Sequence, residues 1–253
     1  MFIPIGDDNS DRHTTPYVTY IFLAINVLVF ILLQDMGRDI AFTFAYATVP
    51  AEILSGQDII TNPQMLEDPI TGQMVEMPGL QPTPGSVYFT LITSMFMHGG
   101  FAHLFGNMMY LWVFGDNLEN VMGHKRYLLF YLLCGVIASM AHVLTSGYIN
   151  QNTLVPSLGA SGAISGILGG YLLLFPTRTV RMWVLLGTIG VPAFITLGLW
   201  IVFQIINGMG ALGGQEGGGI AYAAHIGGFF AGMILVKFFV QKQQVIRQRK
   251  GFF

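Results

Sequence analysis

Charged residues are scarce in this sequence. They make up 9% of its 253 residues, whereas an ordinary soluble domain has about 25%. Hydrophobic residues account for 53% of the chain, and its mean hydropathy is +0.61. Long apolar runs with so few charges are typical of proteins that cross a membrane several times. The net charge is -2 and the 11 Lys and Arg residues are dispersed, which excludes a basic face for nucleic acid.

Cysteine is almost absent as well. Cys134 stands alone inside an apolar run, which excludes a disulfide framework and favours a small core residue. A basic start with a small-residue cleavage site, as in a secretory signal, is also missing. The first apolar run, from Tyr17, is therefore predicted to be a retained membrane helix.

The apolar runs predict an all-α polytopic membrane protein, a bundle of six transmembrane helices. Helix four is the unusual member: its ~15 residues extend ~22 Å, whereas the hydrocarbon core is ~30 Å thick. Anchored at its inner end, it would leave Ser161 below the outer face of the bilayer, at a helix N-terminus with unpaired N–H groups. The predicted helices are Tyr17–Leu33, Phe101–Asn117, Tyr127–Thr145, Ser161–Phe175, Met182–Ile206 and Ile220–Val240.

Composition divides the chain into three parts. Residues 1–16 are polar and are predicted to form a cytoplasmic segment, residues 17–240 one membrane domain, and residues 241–253 a basic cytoplasmic tail. The membrane domain includes an outer loop, 34–100, that is acidic and rich in proline. Its last part, Val87–Met97, is apolar and is predicted to be embedded in the membrane.

Basic residues indicate the orientation of the bundle. They concentrate in the loops after predicted helices two and four and in the tail, whereas the loops after helices one, three and five carry only Arg38. The positive-inside rule then predicts that both termini are cytoplasmic. The bases on that side are Lys125, Arg126, Arg178, Arg181, Lys242, Arg247, Arg249 and Lys250.

Three polar residues on different helices are predicted to lie at one depth. His103 lies ~20 Å before the inner end of helix two, His225 ~18 Å before Lys237 in helix six, and Ser161 ~22 Å before the end of helix four. A serine hydroxyl becomes a nucleophile when a base takes its proton, and histidine is the usual base. The helix four N-terminus, His103 and Asn107, one turn deeper, could donate to an oxyanion. The only acid between Ser161 and His225 is Glu216, in an outer loop, so a dyad without an orienting acid is expected.

Small residues would let these helices approach closely. Gly228 and Gly232 form a Gly-x-x-x-Gly pair just below His225, and Ser161, Ser165 and Gly169 line helix four at four-residue steps.

These motifs together resemble the rhomboid family of intramembrane serine proteases. The resemblance covers nearly the whole chain except an insertion around residues 58–86. It rests on Gly159-Ala-Ser161-Gly162, Ala224-His225-Ile-Gly-Gly228, His98-Gly-Gly-Phe-Ala-His103-Leu-Phe-Gly-Asn107 and the Asp7-Asp-Asn start.

The resemblance implies an endopeptidase without metal or cofactor, in which Ser161 is the nucleophile, His225 the base, and His103 and Asn107 help the oxyanion hole. It implies substrates that are single-pass membrane proteins cut in or near their transmembrane helix. Helix five and the segment before helix six would act as gate and cap. We expect a multi-pass protein of the plasma (inner) membrane of a prokaryote, and the oligomeric state is left open.

Two positions depart from the family pattern. Some members have an aromatic residue, stacked on the catalytic histidine, where this chain has Ser165, so the resemblance does not say what orients His225. A Trp-Arg pair in the first outer loop is also missing, because that loop has Arg38 and no Trp.

Two other functions are compatible with parts of this sequence. An inactive relative would bind transmembrane clients without cutting them, but it would be expected to lack the serine or the histidine. A channel or transporter would have polar residues through the full bilayer depth and often an internal repeat, and neither is evident. The remaining polar residues are interpreted as structural (His98, His142, Glu119) or as solvated loop residues (His13, His124).

Overall fold

A computed structural model describes residues 2–67, 72–149, 153–184, 187–212 and 222–240. The predicted basic tail and Glu216 lie outside these described residues. The helices are α1 (Tyr17–Leu28), α2 (Ile40–Tyr46), α3 (Pro50–Ser55), α4 (Thr90–Thr93), α5 (Phe101–Met122), α6 (His124–Ile149), α7 (Ser161–Leu174), α8 (Ala193–Leu212) and α9 (Tyr222–Phe239). The strands are β1 (Phe2–Asp7), β2 (Gln64–Glu67), β3 (Met74–Met77), β4 (Thr179–Val184) and β5 (Gly187–Pro192). Predicted helices one to six correspond to α1 and α5 to α9.

Helix α7 lies at the centre of the bundle and contacts α5, α6, α8 and α9. Its 14 residues begin at Ser161, so the predicted short central helix is confirmed. Glycines bring it against α9. A Cβ added to Gly228 would overlap the carbonyl oxygen of Gly162, and one added to Gly232 would overlap that of Gly166. The two backbones therefore touch, which a larger residue at either position would prevent.

The predicted start of helix five was wrong. Met182 to Val184 lie in β4 and Gly187–Pro192 form β5, which pair antiparallel, and α8 begins only at Ala193. In β4 buried and exposed side chains alternate, with Val180 and Met182 buried, and this pattern requires a strand. Pro192 ends the hairpin where its missing N–H costs no hydrogen bond to the following helix.

The polar N-terminal segment also contains a strand that the sequence did not predict. β1 pairs antiparallel with β4, from Phe2 opposite Val184 to Asp7 opposite Val180, with an irregularity between Pro4 and Gly6. The sheet order is β1-β4-β5. This sheet lies at the end of the bundle where α7 finishes, which we call the sheet end.

A buried carboxylate fastens the sheet to the helices. Asp7 accepts hydrogen bonds from the Tyr171 hydroxyl on α7 (2.6 Å) and from the Asn117 amide on α5 (2.7 Å). Arg178, just before β4, donates to Asn117 and to Asp11. Because this network joins β1, α5 and α7, it fixes the C-terminal end of α7.

Glu119 has the structural role predicted for it. Its carboxylate accepts from the backbone N–H groups of Val18 (2.9 Å) and Thr19 (2.8 Å), in the first turn of α1. Such first-turn groups have no partner within their own helix. The expectation of a solvated loop for His124 was wrong, because it begins α6 and its Nδ1 lies 2.6 Å from Glu119.

The outer loop has more structure than the sequence predicted. It contains α2, α3, α4 and the hairpin β2–β3, which lies within the 58–86 insertion. Thr48 connects its parts: its backbone pairs with Ser157, and its hydroxyl donates to the Thr90 carbonyl (2.8 Å) and lies 2.9 Å from the Ser94 hydroxyl. The segment leading to α7 is therefore attached to the segment predicted to be embedded.

Three helices among the described residues are long and apolar enough to cross a membrane, namely α6, α9 and Ala193–Gly210 of α8. Shorter apolar helices comprise Tyr17–Leu33, Val87–Phe96 and α7. The chain is thus a mostly helical bundle of the kind found in membranes, and the number of six crossings stays a prediction.

The glycine contact between α7 and α9 predicts that no side chain larger than that of glycine is tolerated at position 232 without loss of stability. Gly232→Ala should destabilise the fold by about 1–3 kcal/mol, because its methyl group would overlap the backbone of α7. Thermal unfolding in detergent measures the change. The control is Gly198→Ala on α8, where a Cβ meets nothing within 4 Å and where alanine should stabilise the helix slightly. Equal melting temperatures for the two variants would contradict the proposed contact.

Asp7 predicts a pH dependence of stability. Burial, more than any other cause, raises its pKa from 3.8 to about 7, against the hydrogen bond from Tyr171, which lowers it. Between about pH 4 and pH 7 the unfolded chain loses this proton and the folded chain keeps it, so stability falls as pH rises. The loss is at most about 1.4 kcal/mol per pH unit in that window.

Asp7→Asn should therefore flatten the decline of the melting temperature between pH 5 and pH 8. Asp8→Asn is the matched control, because Asp8 is exposed and its pKa lies below its ordinary value. Asp8 stays ionised in both states across this range, so its replacement should leave the slope unchanged. A slope that survives in Asp7→Asn would refute the assignment.

Candidate active site

The site forms where α7 and α9 begin. Ser161 is the first residue of α7, and His225 lies in the first turn of α9. The Ser161 Oγ and the His225 Nε2 are 2.8 Å apart. The structure thus brings the two predicted catalytic residues within hydrogen-bond distance, across the helix pair joined by Gly228 and Gly232.

The segment before α7 is held firmly. Gly159 donates its backbone N–H to the Ser94 carbonyl (2.8 Å), and Ser157 pairs with Thr48 through two backbone hydrogen bonds. Gly159 has a φ of +122°, a conformation that favours glycine. These constraints fix the direction in which the chain enters the helix, and with it the position of the Ser161 hydroxyl.

His103 approaches the site from α5. A Cβ on Gly159 would lie 2.8 Å from the His103 Nε2 and 3.7 Å from the Ser161 Oγ, so both polar atoms flank the same glycine. The Gly99 N–H donates to the His103 Nδ1 at 3.3 Å. Because Nδ1 accepts, the neutral ring carries its proton on Nε2, the edge beside Gly159 and Ser161.

The Asn107 side chain forms its hydrogen bond within α5. Asn107 is buried one turn after His103, and its amide donates to the His103 carbonyl at 2.8 Å. Its predicted place in an oxyanion hole stays a prediction. Ser165 likewise does not reach His225, because its hydroxyl donates to the Ser161 carbonyl at 2.6 Å.

Two residues of α8 contact His225, and the sequence analysis missed both. The Gln204 Oε1 lies 2.8 Å from the His225 Nδ1, and the Trp200 ring centroid lies 6.0 Å from the imidazole. The available signal was a glutamine inside an apolar helix, where a polar side chain is expensive and often functional. It was missed because only helices two, four and six were compared for depth.

The histidines that were interpreted as structural lie nearby. His98 is fully buried, and its backbone exchanges hydrogen bonds with the Gln34 side chain, N–H to Oε1 at 3.0 Å and Nε2–H to carbonyl at 2.9 Å. Its ring stands edge-on to His103, with centroids 5.2 Å apart. His142 is half-buried on α6. The described residues include no group of three or more His, Cys, Asp and Glu side chains placed to hold a metal.

A small cavity of about 20 Å³ lies beside Ser161. That volume suffices for one water molecule. Polar groups of the outer loop, of α6, of the segment before α7 and of α7 contribute to its wall, among them Ser94, Ser139, Ser157 and Ser161. The site therefore combines a hydroxyl, the imidazole of His225 and a second imidazole with room for water.

The hydroxyl also lies in a favourable electrostatic position. Among the described residues no side chain caps α7, so the N–H groups of its first turn keep their capacity to donate. The partial positive charge of a helix N-terminus favours an anion there. The arrangement can thus generate an alkoxide-like nucleophile and stabilise a developing negative charge, as acyl transfer requires.

Comparison with known proteins gives a consistent result. The family model described as Rhomboid domain matches residues 85–242. Rhomboid protease GluP of Bacillus subtilis (strain 168) is 31% identical over 216 residues, 83% of this chain and 35% of that protein. Rhomboid protein 1, mitochondrial, of Saccharomyces cerevisiae is 31% identical over 162 residues, 64% of this chain and 44% of that protein.

A plant protein matches over a longer stretch. RHOMBOID-like protein 4 of Arabidopsis thaliana is 28% identical over 237 residues, 88% of this chain and 52% of that protein. The chain thus spans about a third to about half of the length of these relatives.

The crowding at Gly159 predicts that this position controls the reactivity of Ser161. Gly159→Ala should slow covalent labelling of Ser161 by a fluorophosphonate about tenfold, because the methyl group would displace the His103 ring and strain the backbone by about 1–2 kcal/mol. The rate of labelling is the measurement, and Ser161→Ala identifies the labelled residue. Gly106→Ala on α5, where a Cβ meets nothing within 4 Å, should label at the wild-type rate. Wild-type labelling of Gly159→Ala would contradict this account.

Proposed function

The chain belongs to the rhomboid family, and we propose from this premise that it is an intramembrane serine endopeptidase. It would hydrolyse peptide bonds in or near transmembrane segments of single-pass membrane proteins. The observation that carries the proposal is the 2.8 Å contact between the Ser161 Oγ and the His225 Nε2 on two apolar helices. Homologues named as proteases, such as GluP, support the same reaction class.

In the proposed reaction His225 acts first as a base. Its Nε2 takes the proton of Ser161 while the Oγ attacks the carbonyl carbon of the substrate. The same imidazole then returns the proton to the departing amine. The resulting acyl group on Ser161 is released by water, which the cavity beside Ser161 could supply.

The negative charge on the tetrahedral intermediate needs donors. We assign this role to the Nε2–H of His103, to the first-turn N–H groups of α7 and to the amide of Asn107. An amide nitrogen carries two donors, and the His103 carbonyl takes one of those of Asn107. The second would then serve the oxyanion.

The chain is a multi-pass integral membrane protein, because it belongs to the rhomboid family and has long apolar helices. Its orientation and the membrane in which it resides are proposals. We propose that both termini are cytoplasmic, which the distribution of Lys and Arg supports. The division into segments 1–16, 17–240 and 241–253 and a prokaryotic plasma membrane are also proposals, and the relatives include mitochondrial proteins.

Cleavage of a reporter tests the proposal. Purified wild type in liposomes should cut a single-pass protein whose transmembrane segment contains small, helix-weakening residues. Ser161→Ala and His225→Ala should lower the rate by at least about a thousandfold, because each removes a member of the dyad. Product formation on a gel, with the cut site from mass spectrometry, is the measurement.

Two other outcomes would count against the proposal. Cleavage that persists in Ser161→Ala would mean that the nucleophile is misassigned. Binding of the reporter without cleavage by any variant would refute the protease and favour a client-binding relative. Gly198→Ala serves as a control, because nothing lies within 4 Å of a Cβ added there.

A further inference from the structure

Gln204 stands where an orienting acid stands in a three-residue catalytic site. Its Oε1 is 2.8 Å from the His225 Nδ1, while the His225 Nε2 is 2.8 Å from the Ser161 Oγ. The three side chains form a continuous hydrogen-bonded line from α8 through α9 to α7. The end member is a neutral amide.

We propose that Gln204 is a positioning residue that orients His225 for catalysis. The inference rests on the proposed function and adds to it a further residue. It concerns the step before chemistry, when the imidazole must present its unprotonated nitrogen to the serine.

The contact with Gln204 determines the tautomer of His225. An amide oxygen can only accept, so the His225 Nδ1 must carry the proton and the lone pair must lie on Nε2, facing Ser161. The opposite tautomer would point an N–H at the hydroxyl and could not take its proton. A hydrogen bond from Gln204 therefore selects the form that functions as a base.

The neutrality of Gln204 suits its surroundings. The side chain is only 7% exposed, and a carboxylate at that position would incur a large desolvation cost. The titratable groups that interact with the imidazole from other elements are His103 of α5 and His142 of α6. An amide orients the ring among them without adding a buried charge.

The packing of α8 brings a second side chain against His225. One face of this helix is exposed, with Leu199, Val202, Phe203 and Ile206 among its outward side chains. On the other face Trp200 lies 6.0 Å from the rings of both His225 and Phe229, one turn before Gln204. Helix α8 therefore supplies two contacts to His225, a ring contact from Trp200 and an acceptor oxygen from Gln204.

Three variants test the positioning role. Gln204→Met keeps the length of the side chain and removes the acceptor, so kcat should fall about 10- to 100-fold, a fraction of the ~10²–10⁴ that a positioned base supplies. KM should stay within about twofold. Gln204→Glu offers an acceptor oxygen in either protonation state and should restore most of the rate. Asn207→Leu is the control, because Asn207 lies on the same helix and its amide donates to the Phe203 carbonyl.

A readout without substrate separates this inference from the proposed function. In protein labelled with ¹⁵N-histidine, the His225 Nδ1 should carry a proton in wild type and Gln204→Glu and lose that preference in Gln204→Met. His225→Ala identifies the resonances. An Nδ1 without a proton in wild type, or a Gln204→Met variant with wild-type kcat, would overturn the inference. If wild type does not cleave but the Nδ1 is protonated as expected, the positioning role stands and the protease assignment fails.

Discussion

The direct contact between the backbones of α7 and α9 is the constraint on which the rest of this structure depends. In a lipid environment the hydrophobic effect does not draw helices together, so close packing and polar contacts must. Gly228 and Gly232 let α9 approach until a Cβ would collide with the carbonyl oxygens of α7. Only at this separation can a short serine side chain on one helix reach an imidazole on the next.

Close approach fixes the distance between the helices but not how far one is shifted along the axis of the other. That shift is set at the sheet end, where Tyr171 of α7 is hydrogen-bonded to Asp7, which also accepts from Asn117. At the other end, Gly159 and Ser157 attach the incoming chain to the outer loop. A helix of 14 residues held at both ends keeps Ser161 at one depth. The strand β1 and the long loop thus serve the same purpose as the glycines.

Local sequence explains which of these features could be predicted. The bounds of α7 followed from Gly159 before it and Pro176 after it, and the dyad followed from motifs whose residues lie on helices of evident length. The hairpin β4–β5 could not be predicted, because its apolar residues also suit a helix, and the pairing that decides between the two involves β1, more than 170 residues earlier. Gln204 was missed for a related reason, because a single polar residue in an apolar helix does not indicate its partner.

These failures concern α8 and the hairpin that leads into it, and they have a common physical origin. Most of the bundle is specified by contacts that small residues and buried carboxylates make obligatory, and such residues are visible in the sequence. Helix α8 is different, since it follows a hairpin and its contacts with the site come from the side chains of Trp200 and Gln204. Side-chain contacts of that kind leave no mark in the local sequence. The part of the site that is hardest to infer from sequence is therefore the part that α8 contributes, while α7 and α9 bring Ser161 and His225 together.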